Sequence, residues 1–316
     1  MRVFVAGATG VVGRQLVPQL LESGHEVVGM TSRPEKSELL AELGATPVVA
    51  DALDAEAVGI AISEANPDAI VHQLTGLSGG FNPRQQAQAL EPTNRLRTVG
   101  TDNLLSAGRA AGVSHFVAQS FMVGLYERTG ATVKSEEAPF DPEPPSSLRD
   151  IIAALRYLED AVTGADWTEG IVLRYGAFYG PGTSLEFNPP GGEMVEMVEE
   201  RKLPLIGSGA GVWSFTHVED AASATVAALE GGHRGVYNIV DDEPAPVSDW
   251  LPALADAVGA KKPLRIPRWV GRLAAGDGFA SWMTEARGAS NEKAKRELHW
   301  LPSHPSWRRE LPQGVR

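Results

Sequence analysis

The fold of this 316-residue chain is decided by the stretch Arg2-Val3-Phe4-Val5-Ala6-Gly7-Ala8-Thr9-Gly10-Val11-Val12-Gly13. Its first residues are rich in β-branched and aromatic side chains, which is typical of a short buried strand. Glycine then recurs at every third position, and the residues that follow favour a helix. A glycine-rich turn between a strand and a helix is the context in which this spacing indicates dinucleotide binding.

Each glycine has a separate task in such a turn. The first allows the tight bend, the second lets the backbone approach the pyrophosphate, and the third lets the helix pack closely against the strand. The diphosphate then lies on the free amides at the helix N-terminus. A plain strand-to-helix turn is the alternative. The predicted cofactor contacts of this loop are Gly7, Thr9, Gly10, Val11, Val12 and Gly13.

Short β-branched runs alternate with longer Ala- and Leu-rich stretches along the chain. The predicted strands of the first half are 3–6, 26–30, 46–49, 69–73 and 115–119. This alternation predicts an α/β fold, a Rossmann-type doubly wound parallel sheet. We expect a dinucleotide-binding domain over residues 1–180 that also receives strands from about 212–242. Residues 181–211 and 243–316 are expected to form a smaller C-terminal substrate-binding lobe.

Composition excludes several functional classes. The chain has 28 Lys and Arg against 40 Asp and Glu, a formal charge of −12, which repels nucleic acid and anionic lipid unless a local basic patch dominates. No such patch is evident. Cysteine is absent, so disulfides, thiolate metal sites and a cysteine nucleophile are excluded. We see no export signal and no apolar run of roughly 18 residues, and therefore predict a cytoplasmic protein with no membrane partner.

The end of the second predicted strand bears on the choice of cofactor. A site that prefers NAD usually places a carboxylate there for the ribose 2′-hydroxyl, whereas this chain has Ser32 and Arg33. Arginine pairs well with a 2′-phosphate, so NADP(H) is favoured and NAD(H) is possible. A solvated surface arginine is the alternative. Further predicted contacts follow the third and fourth strands, namely Asp51, Ala52, Leu74, Thr75 and Gly76.

With these motifs in place, the chain resembles the extended short-chain dehydrogenase/reductases, the NAD-dependent epimerase/dehydratase family. One segment that carries the resemblance is Leu-Arg-Tyr-Gly-Ala-Phe-Tyr-Gly-Pro-Gly at 173–182. The others, in the family's order, are 100–105, 214–220, 237–239 and 293–302. The resemblance spans nearly the whole chain and implies a Rossmann fold, a nicotinamide cofactor and, as a possibility, a homodimer.

The resemblance also reveals a departure in the catalytic machinery. Most members carry Tyr-x-x-x-Lys, in which the lysine lowers the pKa of the tyrosine so that it acts as acid or base. None of the five tyrosines of this chain has lysine four residues later. When Glu159 is aligned with the glutamate that often follows the motif, Ile151 and Leu155 stand in place of tyrosine and lysine. The chain is thus expected to be an atypical member.

A second departure concerns the substrate. Trp213 stands where sugar-nucleotide enzymes of the family often carry an arginine that binds the diphosphate, and an indole cannot replace that cation. We therefore expect a small apolar or aromatic substrate rather than a nucleotide sugar. Candidate lining residues are Phe121, Met122, Phe178, Phe187 and Trp213, with ordinary core packing as the alternative for each.

Two hydroxyl groups are the catalytic candidates. Ser120 ends the fifth strand, where the family commonly keeps a serine or threonine that hydrogen-bonds the reacting oxygen. Tyr126 lies in the following loop and is a candidate proton donor. The alternatives are a strand-end hydroxyl that satisfies nearby backbone and an ordinary loop residue. His72 is expected to be structural. No cluster has metal-ligand spacing, so we predict no metal site.

These features support one leading hypothesis and two rivals. The leading hypothesis is a reductase that transfers hydride from NADPH to a small, largely apolar carbonyl or conjugated substrate. An NAD(P)-dependent epimerase, isomerase or dehydratase is the close alternative. The third is a non-catalytic NADP(H)-binding sensor or scaffold that has lost the catalytic pair.

Overall fold

The centre of the computed structural model is a seven-stranded parallel sheet, and the structure describes residues 1–77, 86–122 and 124–312. The strands lie in the order β7-β6-β5-β4-β1-β2-β3. In chain order they are β1 (Arg2–Ala6), β2 (Glu26–Thr31), β3 (Thr46–Val49), β4 (Ala69–His72), β5 (His115–Phe121), β6 (Glu169–Tyr175) and β7 (Gly235–Ile239). Strand order reverses between β1 and β4, the point at which doubly wound folds bind ligands. The predicted α/β Rossmann fold is confirmed.

Helices cover both faces of this sheet and build the smaller lobe. Those in the first half are α1 (Val11–Glu22), α2 (Ser37–Glu42), α3 (Ala55–Ala65), α4 (Gln86–Arg95), α5 (Thr101–Ala111) and α6 (Arg149–Thr163). The rest are α7 (Glu193–Glu199), α8 (Val218–Gly231), α9 (Val247–Ala257), α10 (Arg268–Thr284), α11 (Glu292–Glu297) and α12 (Trp307–Glu310). None of the helices in the described ranges is long and apolar enough to cross a bilayer.

Side-chain alternation along the strands explains the two faces of the sheet. In β1, Val3 and Val5 pack into the cluster that α1 and α8 cover. Phe4 and Ala6, which point the other way, pack into the cluster that α3 and α5 cover. All four side chains are fully buried, as expected for a parallel sheet covered on both sides.

A third apolar cluster joins the smaller lobe to α6 and to the segment after β5, and it includes Trp250 and Phe279. The two strands found near 212–217 lie outside the large sheet. Val212–Trp213 pairs antiparallel with Ala245–Pro246, and Phe215–His217 pairs with Ala177–Tyr179. These short pairs hold the lobe against the carboxyl edge of the sheet, where the candidate site lies.

Candidate functional site

The glycine loop joins β1 to α1, and two of its glycines are required by packing. Gly7 has φ +93°, and a Cβ there would lie 2.6 Å from the carbonyl oxygen of Gln73 at the end of β4. A Cβ on Gly13 would lie 2.6 Å from the Ala8 carbonyl. Both distances are far inside van der Waals contact. Only glycine at these two positions therefore lets β1, the turn and α1 pack this closely.

Gly10 differs from its two neighbours in the motif. Its φ of −73° and ψ of 177° suit any residue, and an added Cβ would meet only the Gly7 carbonyl, at 3.2 Å. Gly10 is the N-cap of α1, and no side chain caps that end. Apart from the Gly7 carbonyl and the chain neighbours of Gly10, no atom of the described residues lies within 4 Å of that added Cβ, so the first amides of this 12-residue helix can donate to an anion. This open cradle fits a dinucleotide.

The carboxyl end of β2 lies beside this loop. The hydroxyl groups of Thr9 and Thr31 are 3.5 Å apart, and Thr31 accepts a hydrogen bond from the backbone amide of Arg33. Ser32 and Arg33 are exposed. No carboxylate stands between Thr31 and Pro34. The side chains at the predicted ribose position are thus a hydroxyl and a cation that solvent can reach.

The remaining predicted contacts lie after β3 and β4. Asp51 is exposed and accepts a hydrogen bond from the Leu53 amide, while Ala52 is buried. Leu74 and Gly76 are partly buried, and Thr75 is exposed. All three follow β4 and continue towards residues 78–85, which lie outside the described part of the chain.

His72 has a structural environment, as expected from the sequence. Its Nε2 lies 3.1 Å from the Thr101 hydroxyl, and its Nδ1 accepts a hydrogen bond from the Leu74 amide. Burial lowers the pKa of His72 to about 4. The ring is therefore neutral at physiological pH and ties β4 to α5.

The positions aligned with the usual acid and base are apolar in space as well as in sequence. Ile151 and Leu155 lie one turn apart on α6, and they are 5 % and 2 % exposed. Both belong to the apolar cluster that contains Met122 and Leu125 from the segment after β5. Neither side chain carries a group that can give or take a proton.

Ser120 lies in a buried polar network built on the next turn of α6. Its hydroxyl donates to Glu159 at 2.7 Å, and Arg174 of β6 binds the same carboxylate through two nitrogens at 2.9 and 2.5 Å. All three residues are less than 5 % exposed. Burial opposes the charge of Arg174, but the hydrogen bonds that Arg174 donates to the Glu159 carboxylate, and the charge of that carboxylate, outweigh burial and raise the arginine pKa. A closed ion pair therefore satisfies the Ser120 hydroxyl.

Tyr126 belongs to the same network from the opposite side. Its hydroxyl donates to Asn238 of β7 at 2.6 Å and accepts from Arg174 at 3.0 Å. The backbone amide of Asn238 in turn donates to the Glu136 carboxylate at 2.7 Å. Burial raises the pKa of Tyr126, although Arg174 acts in the other direction. The structure thus joins Ser120 and Tyr126 in one network through the Glu159–Arg174 ion pair, which the sequence did not predict.

The predicted apolar lining divides into two groups. Met122, Phe187 and Trp213 are at most 4 % exposed. Trp213 donates from its indole nitrogen to the Trp282 carbonyl and packs against a second tryptophan, so it is part of the lobe core. Phe121 and Phe178 are only partly buried and remain candidates for substrate contact.

A histidine and glutamate cluster at the start of α8 was not predicted. Potential ligand atoms of His217, Glu219 and His304 lie within 4.8 Å of one another. The two imidazole rings, however, stack with centroids 3.6 Å apart and 25° between their planes. Metal ligation needs in-plane lone pairs that converge, and those of stacked rings run nearly parallel. His304 instead contacts Glu219 and Glu310. The absence of a metal site stays a prediction.

Comparisons with known proteins agree with the Rossmann fold and identify the family. The NAD dependent epimerase/dehydratase family matches residues 3–240. A 3-diazoavenalumate denitrifying reductase from a Streptomyces species is 42 % identical over 98 % of each chain. A 2-alkyl-3-oxoalkanoate reductase from Stenotrophomonas maltophilia (strain K279a) is 28 % identical over 83 % of this chain and 77 % of that one.

Solved structures give the same result at the level of the fold. A UDP-glucose 4-epimerase from Thermus thermophilus, solved with NAD, is 26 % identical with a TM-score of 0.71 over 96 % of this chain and 94 % of its own. A UDP-glucose 4-epimerase from Thermotoga maritima has a TM-score of 0.75 at 21 % identity, over 96 % and 94 % of the two chains. The chain belongs to the NAD-dependent epimerase/dehydratase family and is an NAD(P)-dependent enzyme of the short-chain dehydrogenase/reductase superfamily.

Proposed function

We propose that this protein is an NADPH-dependent reductase of a small, conjugated, largely apolar substrate, and that the reacting group is a diazo group. The glycine loop would hold the diphosphate, and Ser32 and Arg33 would bind the 2′-phosphate. Bound NADPH supplies a hydride. The chain's own task is to orient the substrate and exclude water.

The observation that carries this proposal is the pair Ile151 and Leu155. Reduction of a carbonyl produces an alkoxide, which must take up a proton, and the family's tyrosine normally supplies it. Both aligned side chains here are buried hydrocarbon. The glycine loop and the uncapped N-terminus of α1 nevertheless fit a dinucleotide diphosphate. Such a site suits a reduction that consumes no proton.

Replacement of the diazo group by hydrogen is such a reaction when the group reacts in its diazonium form, C–N2+. The hydride brings both electrons of the new C–H bond, the C–N bond breaks, and its electron pair leaves with N2. One hydride and one diazonium cation give one C–H product and one N2, so charge and atoms balance without an acid. The name of the Streptomyces relative describes reductive loss of nitrogen from a diazo compound, which supports this choice of substrate class.

The contacts of the two hydroxyl candidates are consistent with this reaction. Ser120 donates to Glu159 and Tyr126 donates to Asn238, so each hydroxyl proton is already hydrogen-bonded to a protein group. Their predicted roles, Ser120 polarising a substrate oxygen and Tyr126 giving the proton, belong to the carbonyl alternative. An epimerase or dehydratase would also need an acid and a base. A sensor or scaffold would bind NADPH without turnover.

The decisive experiment follows the hydrogen that replaces nitrogen. The protein is incubated with 3-diazoavenalumate and NADPH deuterated at nicotinamide C4, each face in turn, and separately with unlabelled NADPH in D2O. We expect about one N2 per NADPH oxidised, and deuterium in the product from NADPH but not from D2O.

Two controls make this result interpretable. A reaction without protein measures spontaneous reduction, and Gly10→Val, which should not hold the cofactor, should fall to that background. Oxidation of NADPH by a ketone substrate but not by the diazo compound would contradict the diazo assignment and favour the carbonyl alternative. Tight NADPH binding with no turnover of either would favour the sensor.

A further inference from the structure

One exposed stretch of the lobe, residues 261–273, differs in charge from the rest of this acidic chain. It contains five cations and no carboxylate, whereas the whole chain has a formal charge of −12. Three exposed large apolar side chains lie among the cations. We call this set the basic face, and it consists of Lys261, Lys262, Leu264, Arg265, Arg268, Trp269, Arg272 and Leu273.

The apolar side chains of the basic face project outward instead of packing. Trp269 and Leu273 stand four residues apart on the first half of α10, which places them on the same side of the helix. They are 66 % and 75 % exposed, and Leu264 is 48 % exposed. The opposite side of this helix is anchored, because Gly271 is buried closely against Ile206. The lobe therefore holds the projecting side outward.

The cations border these apolar side chains. Arg268 and Arg272 are also four residues apart, beside the row formed by Trp269 and Leu273. Arg268 pairs with Glu285 at 2.7 Å. Within residues 1–77, 86–122 and 124–312, Arg265 and Arg272 have no ion-pair partner. Their charge is thus available to an external anion.

We propose that the basic face docks this protein reversibly onto an anionic membrane surface. Amphipathic elements with tryptophan and leucine between arginines bind at the interface of a bilayer. The apolar groups enter the boundary of the acyl chains, and the cations contact the anionic headgroups. Separately projecting side chains fit a lipid surface, which adapts to them, better than they fit a protein, which would need a matching groove. This proposal departs from the sequence-based prediction of no basic patch and no membrane partner, because net charge averages over the whole surface and conceals a local cluster of cations.

The test is flotation of the full-length protein with vesicles. Vesicles of phosphatidylcholine alone are compared with vesicles containing about 30 % phosphatidylglycerol. We expect at least about tenfold more protein bound to the anionic vesicles at low salt, and loss of binding at about 0.5 M salt, where screening is strong. Equal binding to both compositions, or none to either, would overturn the proposal.

Variants separate the basic face from general charge and stickiness. Trp269→Ser with Leu273→Ser, and Arg265→Glu with Arg272→Glu, should each lower vesicle binding about tenfold or more. Matched controls elsewhere on the surface are Leu301→Ser, which removes a leucine that is 71 % exposed, and Arg95→Glu with Arg109→Glu. Thermal unfolding confirms that each variant is folded.

The controls also decide the outcome. If they lose binding as much as the basic-face variants do, the basic face is not the docking site. Retention of the wild type on an immobilised acidic peptide, with no flotation on anionic vesicles, would identify a protein partner instead and would overturn the membrane assignment.

Discussion

The most informative single substitution is Gly10→Val, because it separates cofactor binding from folding. The backbone at Gly10, with φ −73° and ψ 177°, lies in the extended region that β-branched residues adopt. An added Cβ meets only one carbonyl oxygen, at 3.2 Å, a close contact that a shift of a few tenths of an ångström relieves. Exchange of the N-cap glycine for valine should cost about 1 kcal/mol of folding free energy. The side chain would instead fill the space in front of the first amides of α1.

The expected loss of affinity follows from those amides. A hydrogen bond from an amide to a charged group contributes about 1.5 to 3 kcal/mol, so loss of two to the diphosphate weakens binding by about 3 to 6 kcal/mol. At about 1.4 kcal/mol per factor of ten, this is more than about 100-fold in Kd. Isothermal titration calorimetry with NADPH and NADH measures it, and thermal unfolding measures the fold.

Two further glycines give matched comparisons. Gly59 lies on α3 with nothing within 4 Å of an added Cβ, so Gly59→Val should leave Kd unchanged. Gly13→Ala should instead destabilise the fold, since its Cβ would lie 2.6 Å from the Ala8 carbonyl. NADPH binding by folded Gly10→Val within about threefold of the wild type would refute our interpretation of the loop.

The remaining predictions concern cofactor choice, catalysis and pH. Arg33→Ala should narrow the preference for NADPH over NADH by about 1 to 3 kcal/mol in calorimetric titration, and equal affinity of the wild type for both would contradict the assignment. If the substrate is a carbonyl compound, Ser120→Ala should lower kcat by about 10- to 1,000-fold and Tyr126→Phe by about 100-fold or more. With a diazo substrate, Tyr126→Phe should leave kcat within about threefold of the wild type. An equal loss of kcat with the carbonyl and the diazo substrate would contradict the idea that only carbonyl reduction needs a proton from Tyr126. Burial raises the pKa of Asp241 from 3.8 to about 7, so its contribution to stability is full below about pH 4 and is lost as the pH rises through about 7. As the pH rises from about 5 to 8, the melting temperature should therefore fall more steeply for the wild type than for Asp241→Asn. Parallel pH dependences of the two melting temperatures would contradict this prediction.

Much of the fold was predictable because its signals are local. The strand, three glycines and helix of residues 2–13 predicted the Rossmann turn, and the predicted strand 3–6 lies within Arg2–Ala6. Strand 115–119 was also predicted but continues to Phe121. Strand boundaries depend on pairing with neighbours, so the pattern locates an element better than it locates its end.

The strands expected at about 212–242 illustrate a different limit. Gly235–Ile239 joins the large sheet, but Val212–Trp213 pairs with Ala245–Pro246 instead. An extended, apolar segment has the same local pattern whichever partner it finds. Trp213 looked like a lining residue for the same reason, since apolar character alone does not distinguish a pocket wall from a lobe core.

By itself, the sequence determined the glycine-rich turn between β1 and α1, the absence of the usual acid and base, and the family. Only the tertiary structure decided how the candidate catalytic groups are connected. Ser120 meets Glu159 across 39 residues, and Tyr126 meets Asn238 across 112. These contacts depend on which strands become neighbours and on which face each side chain points to. That information arises when β5, β6 and β7 align beneath α6, because hydrogen bonds between distant residues form only after the sheet has fixed their spacing.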